Sequence, residues 1–250
     1  MKKIVIILII ILGQQFSYAQ TIFENNNSSK TDTLELNTNR VSWGVKAGFN
    51  YYNLYGKERD FIFASSETKF KPGFHAGIFV NTKISRNIGL THELIFEQRR
   101  VGVSYKDTNK NIYNSIINSS YIDIIPANIN YQFSRFKVYS GPYVSVLVAA
   151  STQRKDENGN LFRDKSIFGD AANDEKTSYY LQKFDFGVNL GVDYQIKDRW
   201  SIGLRYSHGF TDLFQNANNS ANGNTKKDKI KIYNRGFMLS LAYDLSNFNF

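Results

Sequence analysis

Residues 185–194 read DFGVNLGVDY, in which small or polar side chains alternate with apolar ones at every position. Successive side chains of an extended strand point to opposite faces. Phe186, Val188 and Leu190 therefore share one face, while the Gly, Asn and Asp residues between them share the other. Two faces so different in polarity suit a sheet that separates two environments. The segment predicts a β-strand at such a boundary.

The same alternation recurs eight times from Val41 onward, and no stretch competes as a long amphipathic helix. The connections alternate between short and long, as in outer-membrane barrels with short periplasmic turns and longer external loops. The predicted fold is therefore all-β: an eight-stranded antiparallel up-and-down transmembrane β-barrel. The expected short turns are 85–87, 134–135 and 197–199, and the expected long extracellular loops are about 54–71, 102–120, 151–178 and 213–231.

The composition excludes several other classes of protein. The 250 residues include no cysteine, which excludes disulfides, thiolate metal sites and cysteine nucleophiles. Aromatic residues make up 15% of the chain, which argues against disorder. The mean hydropathy is −0.40, and only the first dozen positions approach the roughly 20 apolar residues of a membrane helix. A bundle of membrane helices is therefore excluded.

The N-terminus has the pattern of a secretory signal. Lys2 and Lys3 precede nine unbroken apolar residues, 4–12, and a small-x-small sequence ends at Ala19. We expect a cleaved signal peptide over 1–19, a flexible periplasmic leader over 20–40 and the barrel domain over 41–250. The expected location is the outer membrane.

The composition of the polar face decides which side of the barrel is inside. It carries repeated Gly, Ser, Ala and Asn with a few isolated charges, as expected where an eight-stranded barrel has room only for its own side chains. A soluble lipocalin-like barrel would carry more Lys and Glu on its water-exposed face. The apolar face is therefore expected to meet lipid, with aromatic girdles at both edges. The expected girdle residues are Trp43, Tyr51, Phe74, Tyr131, Tyr194, Trp200, Phe210 and Tyr243.

The register of two strands is harder to assign. In the fourth strand, Ile125, Ala127, Ile129 and Tyr131 are expected on the apolar face, while residues 121–124 leave the register open. In the fifth strand, Ala150 is expected on the apolar face with the preceding valines.

Charged side chains on the inward face form the candidate lumen network. Buried charges require partners, so we expect ion pairs between the Lys46 and Arg205 cations and the Glu93, Glu97 and Asp185 carboxylates. Two interpretations remain open: a network that fills and closes the lumen, or a path or gate for protons or ions.

Catalytic and metal sites have little support. The only cluster suggestive of a hydrolase consists of Ser207 and His208 with nearby Asp212. Adjacent strand residues point to opposite faces, so these two side chains should not converge, and His208 is expected at the lipid interface. Asn158-Gly159 predicts a tight hairpin turn rather than a calcium loop. We expect no catalytic residue, no metal ligand and no cofactor.

The last long loop is basic. It contains four lysines and a single acidic residue, Asp228; the lysines are Lys226, Lys227, Lys229 and Lys231. Their positive charge could attract lipopolysaccharide phosphates or an anionic partner. An ordinary solvated loop is the alternative. The expected partners are outer-membrane lipid, the barrel assembly machinery and an unidentified envelope protein, but not nucleic acid. The protein is expected to be a monomer.

The sequence resembles the small outer-membrane β-barrel proteins of Bacteroidota, the PorT-like group, over about residues 41–245. The resemblance implies a barrel with no particular biochemical activity, and its last strand is similar to the signal read by the assembly machinery. That signal comprises Gly236, Leu239, Leu241 and Tyr243. The other matching motifs are Ile125-Pro126, Gly141-Pro142-Tyr143, Asp185-Phe186-Gly187 through Gly191, and Arg205-Tyr206-Ser207-His208-Gly209-Phe210.

The expected function is non-enzymatic: a structural, adhesive or accessory role in the envelope through extracellular loops. The alternatives are a narrow channel or accessory of a transport or secretion complex, and a lipid-modifying outer-membrane enzyme.

Overall fold

The computed structural model describes residues 41–57, 63–65, 67–106, 111–155, 158–164, 181–213 and 231–246. The predicted signal peptide, the predicted leader and the loop lysines Lys226, Lys227 and Lys229 lie outside these residues.

Within these described residues, nine strands form one antiparallel sheet, and eight of them close into a ring. The order around the ring is β1-β2-β3-β4-β5-β7-β8-β9, with β9 paired to β1 and β4 paired to β5. The predicted eight-stranded antiparallel barrel is confirmed. The strands are β1 Val41–Lys57, β2 Lys69–Lys83, β3 Ile88–Lys106, β4 Ile112–Phe133, β5 Phe136–Lys155, β6 Leu161–Asp164, β7 Phe184–Lys197, β8 Trp200–Gly209 and β9 Lys231–Asp244.

Within the described ranges, no helix has the length and apolar character needed to cross a membrane.

The strand outside the ring, β6, belongs to an extracellular hairpin. Strand β6 pairs with the end of β5 from Thr152 opposite Asp164 to Lys155 opposite Leu161. Gly159 lies in the connecting turn with φ of +85°, a conformation that glycine adopts at little cost. The predicted turn at Asn158-Gly159 is confirmed.

Strands β3 and β4 extend far into a predicted loop. The segment 102–120 was expected to be a loop, but β3 continues to Lys106 and β4 begins at Ile112. Their ladder is regular from Lys106 opposite Ile112 inward. Most outward side chains here are small or polar, with Arg100 donating to Asn118 over 2.9 Å. The apolar band therefore ends before the strands do, and alternation in hydropathy cannot locate the strand ends.

Pro126 shifts the register of β4. The ladder to β3 slips between Thr91 and Glu93, because proline has no N–H to donate and a bulge forms around it. Ile125 is consequently 2% exposed and faces the lumen, so its expected outward position is wrong. Beyond the bulge, Ile129 and Tyr131 are exposed on the outer face as predicted.

A similar irregularity explains Ala150. The β4–β5 ladder slips where Ser120 pairs with Ala149 and Tyr121 with Leu147. Ala150 is therefore buried inside the barrel, and its expected place on the apolar outer face is wrong.

Inside the barrel, aromatic rings lie on glycines of the neighbouring strand. Tyr139 covers Gly191 so closely that an added Cβ would lie 2.4 Å from the ring. The same relation holds for Phe79 on Gly44, Tyr143 on Gly187 and Tyr52 on Gly236. Glycine provides the space that lets large rings fill a narrow lumen.

Gly191→Ala should lower the free energy of unfolding by about 1–3 kcal/mol, because the added methyl group displaces the Tyr139 ring. The measurement is urea unfolding in lipid vesicles. Gly102→Ala is the control, since its Cβ would meet nothing closer than a Lys71 side-chain atom at 3.1 Å. Adding Tyr139→Leu to Gly191→Ala should recover part of the loss, and strictly additive effects would contradict this explanation.

Candidate functional site

The five charged side chains predicted to face the lumen all lie inside the barrel. They come from four strands, and each is less than 10% exposed: Lys46, Glu93, Glu97, Asp185 and Arg205. The structure divides them between two clusters, one nearer the short turns and one nearer the long loops.

The lower cluster consists of Lys46, Glu93 and Arg205. Lys46 Nζ donates to Glu93 Oε1 over 2.7 Å, and Arg205 donates to the other carboxylate oxygen. The Arg205 guanidinium also lies 5.2 Å from the Tyr139 ring centroid and donates to its hydroxyl. Here one carboxylate serves two cations, one from β1 and one from β8.

The upper cluster consists of Arg99, Glu97, Asp123 and Asp185. The Arg99 guanidinium donates to Glu97, to Asp185 over 2.6 Å and to Asp123 over 3.2 Å. It also donates to Ser145 Oγ over 2.6 Å. One guanidinium therefore faces three buried carboxylates, the reverse of the charge balance in the lower cluster.

Aromatic rings surround the Arg99 guanidinium. Its central carbon lies 4.2 Å from the Tyr121 ring centroid and 4.7 Å from that of Tyr52. Tyr143 is further away, at 5.8 Å. Ring faces favour a cation, so these contacts help to hold a charge that is 2% exposed.

Sequence reasoning missed Arg99 and Asp123. It expected Glu97 and Asp185 to pair with Lys46 and Arg205, and that pairing is wrong because both carboxylates contact Arg99. Arg99 has the same parity as Glu93 and Glu97, so extending the alternation of β3 by two residues would have placed it inside. No comparable signal was available for Asp123, because the bulge at Pro126 hides the register of β4.

Neutral polar groups fill the space between the clusters. His75 is 1% exposed and its Nε2 lies 2.8 Å from Ser240 Oγ. Asn50 donates to Glu97 over 3.3 Å. Buried polar side chains therefore lie inside the barrel at the levels of both clusters.

An apolar cap closes the extracellular side of the upper cluster. Phe63, Leu181 and Leu213 are 2–3% exposed and pack with Leu54 and Val101 of the barrel wall. A cavity of about 20 Å³ separates this cap from Arg99, enough for about one water molecule.

The candidate hydrolase residues do not meet. Ser207 is buried inside the barrel, whereas His208 lies on the outer face and contacts Tyr55. Asp212 accepts a hydrogen bond from the backbone of Ile232. Among the described residues, no group of three or more His, Asp or Glu side chains is arranged to hold a metal ion.

The remaining predicted site residues lie on β9. Lys231 is exposed at the start of the strand, Leu239 and Leu241 are exposed on the outer face, and Gly236 lies beneath Tyr52. Tyr243 packs on Trp200, with ring centroids 4.6 Å apart.

Residues 16–215 match the family model described as "Outer membrane protein beta-barrel domain". The chain belongs to this family. Membership implies an outer-membrane location, in agreement with the closed barrel and its apolar outer face. No curated protein matches the sequence significantly.

Several solved outer-membrane proteins are similar in structure. Ail of Yersinia pestis, solved with the heparin analogue sucrose octasulfate, shares 9% identity over 82% of this chain and 99% of its own, with a TM-score of 0.43. OprG of Pseudomonas aeruginosa shares 14% over 82% and 95%, with a TM-score of 0.42. The protease OmpT of Escherichia coli shares 10% over 86% and 100%, with a TM-score of 0.35.

Proposed function

We propose that this family member is a non-enzymatic, non-conducting outer-membrane barrel that serves the envelope through its extracellular segments. The observation that carries the proposal is the filled lumen: two buried ion-pair clusters and an apolar cap lie in series. Among the described residues, buried charged and polar side chains lie one above another inside the barrel, which supports an occluded lumen, and an apolar constriction also opposes the passage of ions.

The extracellular hairpin supports the second half of the proposal. Leu161 and Phe162 of β6 are 62% and 46% exposed, and Ile112 at the start of β4 is 62% exposed. Apolar side chains displayed above a membrane suit contact with another surface. The proposal covers structural, adhesive and accessory roles in the envelope. It also includes membership of the PorT-like group.

The alternative is a narrow channel or an accessory of a transport or secretion complex. Inward charges at two levels favour it, since charged rings line many ion pathways. The catalytic alternative has less support because Ser207 and His208 lie on opposite faces of β8.

Planar-bilayer recording tests the proposal. Purified full-length protein should produce no resolvable single-channel steps at voltages where a general porin does, because the ion pairs and the cap occlude the lumen. Heat-modifiable gel migration of the same sample confirms that the inserted barrel is folded. Clear single-channel currents from the wild type would contradict the non-conducting role and favour the channel.

A further inference from the structure

A polar patch lies on the outer face of the barrel, immediately above its apolar band. The rim patch consists of Tyr55 of β1, Tyr206 and His208 of β8, and Tyr233 and Arg235 of β9. Arg235 pairs across the sheet with His208, one outward position above the pair formed by Phe237 and Tyr206. The patch therefore lies at the extracellular boundary of the hydrocarbon layer.

Hydrogen bonds fix the aromatic part of the rim patch. The Tyr55 hydroxyl donates to the Gly209 carbonyl over 3.1 Å and shares a hydrogen bond of 2.6 Å with His208 Nε2. The Tyr206 hydroxyl lies 3.1 Å from His208 Nδ1 and can donate to it. The three rings thus form one connected unit on the lipid-facing side.

Arg235 lies beside this unit on the outer face. Its guanidinium is 5.4 Å from the Tyr55 ring centroid, and its side chain is exposed. Among the described residues, no carboxylate lies within ion-pair distance of it. A cation at the edge of the hydrocarbon layer is costly unless water or an anion meets it.

We propose that the rim patch binds a phosphate group of an outer-leaflet glycolipid. The planar guanidinium offers paired donors that match phosphate oxygens. Directly below it, Phe237, Leu239 and Leu241 are 46–48% exposed and form an apolar strip that acyl chains can cover. The occupant must therefore carry a phosphate and acyl chains together, which a free phosphate ion does not.

This site uses none of the four predicted lysines and does not depend on whether the lumen conducts. It is built from three paired strands, so its geometry is fixed by the barrel wall. It would attach one glycolipid to the seam where β9 meets β1.

The test uses purified full-length protein in neutral detergent, titrated with bisphosphorylated lipid A and followed by native mass spectrometry. Arg235→Gln should weaken binding about tenfold, equivalent to 1.4 kcal/mol. Arg86→Gln is the matched control, because it removes the same charge from an exposed short turn at the opposite end. The control should bind within about twofold of the wild type.

Further arms identify the ligand chemistry. Arg235→Lys keeps the charge without the planar fork and should bind between the wild type and Arg235→Gln; heat-modifiable migration confirms that each variant is folded. Dephosphorylated lipid A should bind the wild type and Arg235→Gln equally weakly. Equal binding of bisphosphorylated lipid A by these two proteins would overturn the proposal. Binding of phosphatidylglycerol as tight as that of lipid A, or full displacement by inorganic phosphate, would show a general anion site and would also overturn it.

Discussion

Arg99→Gln should lower the free energy of unfolding of the barrel by about 3–5 kcal/mol, the usual cost of removing one partner from a buried ion pair. Arg99 is the cation that contacts Glu97, Asp123 and Asp185, and all four residues are at most 5% exposed. Its removal leaves three carboxylates together in a space that water barely reaches. Among single substitutions at described positions, this change should be one of the most damaging.

The neighbouring residue provides a matched control. Arg100 lies on the opposite face of β3, is partly exposed, and donates to Asn118 and to the Pro72 carbonyl. Arg100→Gln removes the same charge one position away and should cost about 1 kcal/mol, the usual value of a hydrogen bond. The chain's two tryptophans, Trp43 and Trp200, lie on the barrel wall, so fluorescence in urea can follow unfolding of both variants in lipid vesicles.

A second substitution separates the loss of charge balance from a loss of packing. Adding Glu97→Gln to Arg99→Gln removes one of the three uncompensated carboxylates and should restore part of the lost stability. Equal unfolding midpoints for Arg99→Gln and Arg100→Gln would contradict the role assigned to the upper cluster.

Glu93→Gln should have a comparable effect, of about 3–5 kcal/mol, for the opposite electrostatic reason. Glu93 is the carboxylate that both Lys46 and Arg205 contact, so its neutralisation leaves two cations side by side inside the barrel. Glu67→Gln is the control, because Glu67 is exposed and a surface substitution of this kind usually changes stability by less than about 0.5 kcal/mol.

The lower cluster also predicts an order among its members. Lys46→Met should cost less than Glu93→Gln, because the ion pair between Glu93 and Arg205 remains intact. Unfolding midpoints in urea, measured in the same vesicles, give the order directly. If Lys46→Met were the more damaging change, the arrangement of one carboxylate serving two cations would not explain the stability of the cluster.

The sequence predicts the faces of the strands better than it predicts which side chains meet. Alternation places Lys46, Glu93 and Arg205 inside because their parity follows from their immediate neighbours. Which side chains meet across the lumen depends on how far each strand is displaced along its neighbours. The alternation in hydropathy along one strand does not reveal that displacement. For this reason alternation does not reveal that Glu97 contacts Arg99 rather than Lys46 or Arg205.

The irregular positions have a local physical cause. Pro126 cannot donate to the ladder, and the bulge that accommodates it reverses the parity of β4, which moves Ile125 inward. The sequence shows the proline, but it does not show where in the ladders of β4 the extra residue is accommodated. The apolar cap was equally hidden, because Phe63, Leu181 and Leu213 lie in segments without alternation.

The ion pairs of the lumen join parts of the chain that are far apart in sequence. Glu93 and Arg205 are separated by 112 residues, and Arg99 and Asp185 by 86. No hairpin of consecutive strands can form either pair, so a partly assembled sheet that entered the bilayer would leave the members of these two pairs without each other, at a cost of several kcal/mol. Insertion and ring closure are therefore coupled, because these charges disfavour entry into the membrane until β9 has paired with β1.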